Sequence, residues 1–141
     1  MTCEPKPRAS ERPSEDPGQN LGVQANGIHH VSVNVEDVAE AITFYTDVLG
    51  FSLRGDRPDF GFDGAWLNVG DQQLHLIKAH VPAAAGQHFA IRVPDMEMAV
   101  KEIRGRGVKV SDPVPVGQNL QAFLSDPAGN GIELHQVGPA S

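Results

Sequence analysis

Residues 30–51 read HVSVNVEDVAEAITFYTDVLGF, and this stretch decides the fold. From His30 to Val35, three valines alternate with polar residues, which is the pattern of a strand with one buried face. Asp37 then offers an N-cap, and Gly50 offers a helix stop. Between them, apolar residues follow the i, i+3, i+4, i+7 spacing of an amphipathic helix: Val38, Ala41, Ile42 and Tyr45. The stretch therefore predicts a strand followed by a helix.

The same signals recur 58 residues further along the chain. His88–Val93 repeats the alternation, Asp95 repeats the N-cap, and the helical spacing returns at Met96, Ala99, Val100 and Ile103. Further strands are predicted at Phe51–Arg54, Ala65–Val69 and Gln72–Lys78 in the first half, and at Val108–Val110, Leu120–Ser125 and Gly131–Val137 in the second. The sequence thus predicts an α+β fold of two tandem βαβββ modules, with their helices on the outside of a cup-shaped mixed sheet.

Domain organisation follows from composition. Residues 1–20 hold four prolines and seven charged residues and are expected to be a disordered tail. Residues 21–141 are expected to form one domain, with module one at 27–79, a linker at 80–86 and module two at 87–137. A net charge of −7 and the lack of a long apolar run argue against nucleic-acid and membrane partners. The single cysteine, Cys3, excludes an internal disulfide, and a cytoplasmic protein is expected.

Strand alternation assigns a set of polar side chains to the face turned away from the helices. The set comprises His30, Ser32, Asn34, Gln73, His75, His88, Arg92, Glu133 and His135. Under the 58-residue shift His30 maps to His88, and His75 maps to Glu133. These four are predicted to converge on one divalent metal ion, since imidazole and carboxylate suit Zn, Ni, Co, Mn or Fe. Taken singly, each could be a residue on the wet side of a sheet. No organic cofactor is indicated.

Several stretches together resemble the vicinal oxygen chelate superfamily, which includes glyoxalase I, methylmalonyl-CoA epimerase, extradiol dioxygenases, and fosfomycin- and bleomycin-resistance proteins. They are HVSVNV (30–35), AITFY (41–45), VLGF (48–51), HFAI (88–91) and DPAGNGIEL (126–134). The resemblance implies paired modules around a metal ion, with His30, His88 and Glu133 at ligand positions. In glyoxalase I the position of His75 is usually a glutamate. Here it is either a fourth ligand or a histidine lining the cavity.

The resemblance implies a metal-dependent lyase or isomerase of glyoxalase-I-like type, whose substrate chelates the ion through adjacent oxygens. Glu133 or His75 would then move the proton. The alternatives are an extradiol-type non-haem iron dioxygenase, a thiol transferase of the fosfomycin-resistance kind, and a bleomycin-type drug-binding protein. A small-molecule substrate, for instance a thiol adduct, and a homodimer are expected.

Residues outside the metal set are expected to bind the substrate. They are Arg92, Ser32, Asn34, Phe62 and Trp66. The loop that carries Arg54, Arg57, Phe60 and Phe62 is either the mouth of the pocket or a solvated loop with core-packing aromatics. His29 is expected on the helix side, as a core or cap residue. His135, on the face of Glu133, is a candidate supporting residue.

Overall fold

The computed structural model describes residues 22–140, so the predicted tail and Cys3 lie outside the described part of the chain. Module one contains β1 (His30–Val35), α1 (Val38–Thr43), β2 (Ser52–Leu53), β3 (Gly64–Val69) and β4 (Gln72–Lys78). Module two contains β5 (His88–Arg92), α2 (Met96–Gly105), β6 (Val114–Val116), β7 (Asn119–Ser125) and β8 (Gly131–Gln136). The predicted βαβββ unit, occurring twice, is confirmed.

Both helices begin where the sequence predicts. The carboxylate of Asp37 accepts a hydrogen bond from the backbone N–H of Glu40 at 3.0 Å, and Asp95 does the same for Met98 at 3.1 Å. The first helix continues past α1 as a π-helical turn, Phe44–Val48, and the chain reverses at Gly50 with a φ of +74°. Such π-helical turns are rare and often occur at functional sites.

Each module forms its own four-stranded mixed sheet, in the order β1-β4-β3-β2 or β5-β8-β7-β6. The first and last strands of each module are parallel neighbours. Both pairings join residues 43 positions apart, His30 with Gln73 and His88 with Gly131. The internal repeat therefore extends to the strand register, and residues 58 positions apart occupy equivalent positions in the two sheets.

One predicted strand is wrong. Val108–Val110 is not a strand; the edge strand of module two is β6, which contains Pro115. Val110 is buried in the core. The alternating valines at 108 and 110 therefore reflect packing of Val110 in the core rather than hydrogen bonding to a neighbouring strand. The edge position explains Pro115, since a residue without an N–H is tolerated in an edge strand. Gly117, with a φ of +61°, then turns the chain into β7.

The core lies between each sheet and its helix. Leu67, Leu74 and Leu76 of module one, and Ile132 and Leu134 of module two, are at most 1% exposed. These residues alternate with the polar set along the same strands, as expected for sheets with one buried face. The candidate ligands therefore project from the face opposite the core. Among the described residues, no helix is both long enough and apolar enough to cross a bilayer.

Candidate functional site

The first pair of predicted ligands belongs to module one. His30 on β1 and His75 on the neighbouring β4 stack with ring centroids 3.8 Å apart and planes 13° apart. Nδ1 of His30 lies 2.9 Å from Nδ1 of His29, and Nε2 of His75 lies 2.9 Å from Oε1 of Gln73. His30 and His75, which alternation assigns to one face, are therefore in contact across two neighbouring parallel strands.

His29 also belongs to this group of side chains. His29 is exposed and bonded to His30, so its predicted place on the helix side is wrong. It directly precedes β1, where the alternation no longer constrains it.

Partial burial lowers the pKa of His75, and the neighbouring charges of His30, His29, Arg54 and Arg57 lower it further. A lowered pKa favours the neutral imidazole, which is the form that binds a metal ion.

The second pair belongs to module two. Nε2 of His88 on β5 lies 3.1 Å from Oε1 of Glu133 on β8. Gly131 lies beside His88, and a Cβ at Gly131 would approach the His88 Cβ to 3.3 Å, so the glycine leaves room for this histidine. Nδ1 of His88 lies 2.8 Å from the carbonyl of Gly86. That hydrogen bond raises the pKa of His88, and the bond to Glu133 raises it further.

The hydrogen bonds of this pair test whether a metal would fit. A carbonyl only accepts, so Nδ1 of His88 carries the hydrogen and Nε2 points a lone pair at Glu133 unless the ring is protonated. Two lone pairs facing each other at 3.1 Å need a proton or a cation between them. Two ligands about 2.1 Å from one ion and at right angles are about 3.0 Å apart. His88 and Glu133 therefore fit adjacent positions on a divalent ion.

The predicted ligands come together as two pairs, one in each sheet. Within residues 22–140, no three or more His, Cys, Asp or Glu side chains are grouped so that they could hold one ion. His30 and His75 thus form one half of the predicted set, and His88 and Glu133 form the other. Convergence of all four on one ion remains a prediction.

An aromatic wall stands beside the first pair. Trp66 is the direct cross-strand partner of His75, and their rings stack at 4.5 Å and 12°. Phe60 and Phe62 are each 49% exposed and stack on one another, with the Arg57 guanidinium 5.0 and 5.4 Å from their ring centres. A cavity of about 170 Å³ lies among these side chains, Ser32 and His75. Phe60 and Phe62 therefore belong to a cavity rather than to the core.

Of the remaining predicted substrate residues, Asn34 and Arg92 do not line this cavity, whereas Ser32 does. Nδ2 of Asn34 donates to the carbonyl of His80 at 2.8 Å and so holds the linker. Arg92 is exposed and lies beside a shallow depression with Val93, Pro94 and Val137. Ser32 lines both the aromatic cavity and a cleft of about 200 Å³ between the modules, which also contains His88. Ser32 thus lies beside one residue of each ligand pair, His75 and His88.

A buried contact joins the modules next to the second pair. The Tyr45 hydroxyl donates to Oδ2 of Asp126 at 2.7 Å, and the two residues are 0% and 4% exposed. Oδ1 of Asp126 accepts from the backbone N–H groups of Ala128 and Asn130, and Nδ2 of Asn130 donates to the carbonyl of Asn34. This contact fixes the turn that leads directly into β8 and Glu133.

Comparison with known proteins agrees with this architecture. Residues 27–134 match the model of the Glyoxalase/Bleomycin resistance protein/Dioxygenase superfamily. The chain belongs to this superfamily. A lactoylglutathione lyase of Salmonella typhimurium is 29% identical over 125 residues, which is 79% of this chain and 93% of the relative. A lactoylglutathione lyase of Arabidopsis thaliana is 32% identical over 78% of this chain and 44% of the relative. The chain spans between 35% and 44% of the length of the plant relatives that it matches.

Solved structures support the same family. A glyoxalase family protein of Bacillus anthracis superposes with a TM-score of 0.75 at 25% identity, over 82% of this chain and 98% of the other. TnmS3, described as an antibiotic binding protein from Streptomyces sp. CB03234, superposes with a TM-score of 0.70 at 28% identity, over the same shares of the two chains. Superfamily membership, and with it the resemblance stated from the sequence, is confirmed.

Proposed function

We propose that the chain is a divalent-metal-dependent lyase or isomerase of glyoxalase-I-like type. The observation that carries the proposal is the 3.1 Å approach of His88 Nε2 to Glu133 Oε1, in which a histidine nitrogen and a carboxylate oxygen face each other. Relatives named lactoylglutathione lyase support this class of reaction. The substrate is a small molecule with two adjacent oxygens, such as a thiol adduct of a 2-oxoaldehyde, and the protein is expected in the cytoplasm.

The complete site is proposed to form in a homodimer. His30 and His75 of one copy would meet His88 and Glu133 of the second copy, giving two equivalent sites related by a two-fold axis. Two features support this arrangement: each pair lies in a separate sheet, and each pair includes an exposed histidine, His30 or His88. Three imidazoles and one carboxylate suit Zn, Ni, Co, Mn or Fe.

The residues of the chain divide the chemistry between them. A bound divalent ion would supply the positive charge that makes a C–H bond beside a carbonyl acidic. Glu133 would accept that proton at a carboxylate oxygen and return it to the neighbouring carbon, because His75 replaces the usual second carboxylate. Trp66 and Phe62 would pack against the apolar part of the substrate and exclude water. Ser32 would donate to a substrate oxygen from the floor of the cavity.

Arg92 and Asn34 complete the proposed substrate contacts. Arg92 is exposed at the end of β5, and its guanidinium could bind an anionic group of the substrate that extends beyond the ligand pairs. Asn34 already donates to the linker carbonyl of His80, so its contribution would be to keep the linker in place beside the site.

One observation favours a second candidate, an extradiol-type dioxygenase. Nε2 of His75 is bonded to Gln73, and the ring is stacked between His30 and Trp66. If His75 is held in this way, the remaining ligands are two histidines and one carboxylate, the set used by non-haem Fe(II) oxygenases.

A third candidate, a drug-binding role, rests on the exposed aromatic wall. Phe60 and Phe62 could stack on a bulky planar ligand, and TnmS3 is described as an antibiotic binding protein.

Metal loading and turnover distinguish these candidates. Protein purified without chelators is analysed for metal, stripped, and reloaded with each ion in turn. It is then offered hemithioacetals of 2-oxoaldehydes with several thiols, and catechols, with and without oxygen. The proposal expects turnover of a hemithioacetal with a redox-inert ion such as Ni or Zn, without oxygen. Turnover of catechols only with iron and oxygen would refute it in favour of the dioxygenase. Tight uptake of a bulky ligand without turnover would indicate the binding role.

A further inference from the structure

The carboxylate of Glu133 has two oxygens in different surroundings. Oε1 lies 3.1 Å from Nε2 of His88, whereas Oε2 lies 2.8 Å from Nδ1 of His135. Glu133 is only 8% exposed, so a carboxylate here needs hydrogen-bond partners in place of water. His135 lies two residues along β8 from Glu133, on the same face of the strand.

The direction of each hydrogen bond around His135 can be assigned from a backbone group. The N–H of Gly138 lies 2.9 Å from Oδ1 of Asn119, and an N–H only donates, so this atom of Asn119 is the oxygen. The Asn119 amide nitrogen, 3.1 Å from Nε2 of His135, is therefore the donor. Nε2 of His135 accepts, its hydrogen is on Nδ1, and Nδ1 donates to Oε2 of Glu133.

This series of hydrogen bonds begins at a buried anchor. Gln136 is 3% exposed; its side-chain nitrogen donates to the carbonyl of Gly138, and its side-chain oxygen accepts from the backbone N–H of Met96 at the start of α2. Both backbone groups of Gly138 are thus engaged, which fixes the N–H that orients Asn119. The orientation of Glu133 is linked in this way to the packing of α2 on β8.

We infer that Asn119 and His135 are positioning residues, which hold Oε2 of Glu133 and leave Oε1 alone to face His88. The terminal torsion of a glutamate is soft, so without a donor on Oε2 the plane of the carboxylate could turn, and no oxygen would be held facing His88. The part of the inference that concerns metal binding rests on the proposed function. The hydrogen-bond directions do not rest on the proposed function, because they follow from groups of the protein alone.

The first test uses metal-free protein and nitrogen NMR of the histidine rings. At a pH where the ring is neutral, His135 of the wild type should carry its hydrogen on Nδ1. Asn119→Asp keeps an acceptor for Gly138 but removes the donor to His135, so His135 should leave that tautomer. A wild-type His135 with its hydrogen on Nε2, or a tautomer unchanged by Asn119→Asp, would overturn the inference.

The second test measures zinc affinity by competition with a chelator. His135→Phe should weaken binding by about 10- to 100-fold, as removal of a partner that orients a ligand typically does. His135→Gln keeps a donor for Oε2 and should recover most of the affinity. Gln121 lies directly across from His135 in β7 without a role in the series, so Gln121→Ala is the matched control and should bind zinc like the wild type.

The outcomes separate the inference from the proposed function. If Glu133→Ala loses zinc but His135→Phe binds as tightly as the wild type, the proposed metal site stands and the positioning role is refuted. If the wild type itself binds no zinc, the proposed metal site fails. The tautomer measurement then still supports or overturns the hydrogen-bond series on its own.

Discussion

Replacement of Tyr45 by phenylalanine should destabilise the protein without disturbing its packing. The Tyr45→Phe variant keeps the ring, which stacks on Phe51 at a centroid distance of 5.6 Å, and loses only the hydroxyl that donates to Asp126. A hydrogen bond to a charged acceptor contributes about 1.5–3 kcal/mol. Oδ2 of Asp126 keeps one other donor, Nδ2 of Asn130 at 3.0 Å, so we expect a loss of about 2 kcal/mol rather than the upper value. The melting temperature should fall by about 8 °C.

Equilibrium unfolding in urea provides the assay, followed by the fluorescence of Trp66, the only tryptophan. The midpoint should fall while the denaturant slope stays unchanged, since the folded state keeps its buried surface. The same change made in an Asp126→Asn background should have a clearly smaller effect, because the charged acceptor is gone. A loss below about 0.5 kcal/mol, or equal losses in both backgrounds, would refute the role assigned to this contact.

Alkaline pH gives an independent measure of the same contact. Burial raises the pKa of the Tyr45 phenol well above its usual range, and the neighbouring Asp126 carboxylate raises it further. Above about pH 10 an unfolded chain loses this proton while the folded chain keeps it, so the wild type should lose stability as the pH rises. The Tyr45→Phe variant should lack that part of the decline. Parallel slopes for the two proteins above about pH 10 would contradict the buried contact.

Two further predictions concern the ligand pairs. Glu133→Ala or His88→Ala should abolish tight binding of one divalent ion, measured by elemental analysis after dialysis. His80→Ala, in the exposed linker, is the control and should keep the ion. Retention of the metal by Glu133→Ala would disprove the ligand assignment. In metal-free protein, ring-proton NMR should give His75 a titration midpoint below about pH 6.5 and His88 a titration midpoint above it. Because His75 binds a proton less readily in the folded chain than in the unfolded chain, acid should destabilise the fold through His75. His88 binds a proton more readily in the folded chain, so acid should stabilise the fold through His88. Midpoints in the reverse order would contradict the surroundings described for these two rings.

The fold could be predicted because its signals are local and occur twice. Helix caps and strand alternation depend on neighbours in sequence, as at Asp37 and Asp95 and in β1 and β5. The same signals return after 58 residues, so each half of the chain supports the prediction made for the other half. The edge strand β6 could not be predicted, because Pro115 argues against a strand unless its edge position is known. The π-helical turn at Phe44–Val48 has no signal in the apolar spacing, which differs little between the two helix types.

The site could be predicted only in part. Alternation identifies the face that carries His75 and Glu133, and parallel pairing of the first and last strands brings each pair together. The distance between the two sheets depends on contacts far apart in sequence, such as Tyr45 with Asp126, and no periodicity encodes it. The position of Phe60 depends in the same way on Arg57, a loop residue without a regular pattern.

The central claim is that two ligand pairs, one from each of two copies, hold one ion, and a complementation experiment tests it most directly. One variant carries His30→Ala and His75→Ala, and the other carries His88→Ala and Glu133→Ala. Neither should bind metal alone, whereas the wild type should bind about one ion per chain. After the two variants are mixed and allowed to exchange subunits, half of the dimers should be mixed, each with one intact site of two. The mixture should therefore recover about a quarter of the wild-type metal. A mixture that stays empty while the wild type binds metal would show that the four ligands come from a single chain, contrary to the proposal.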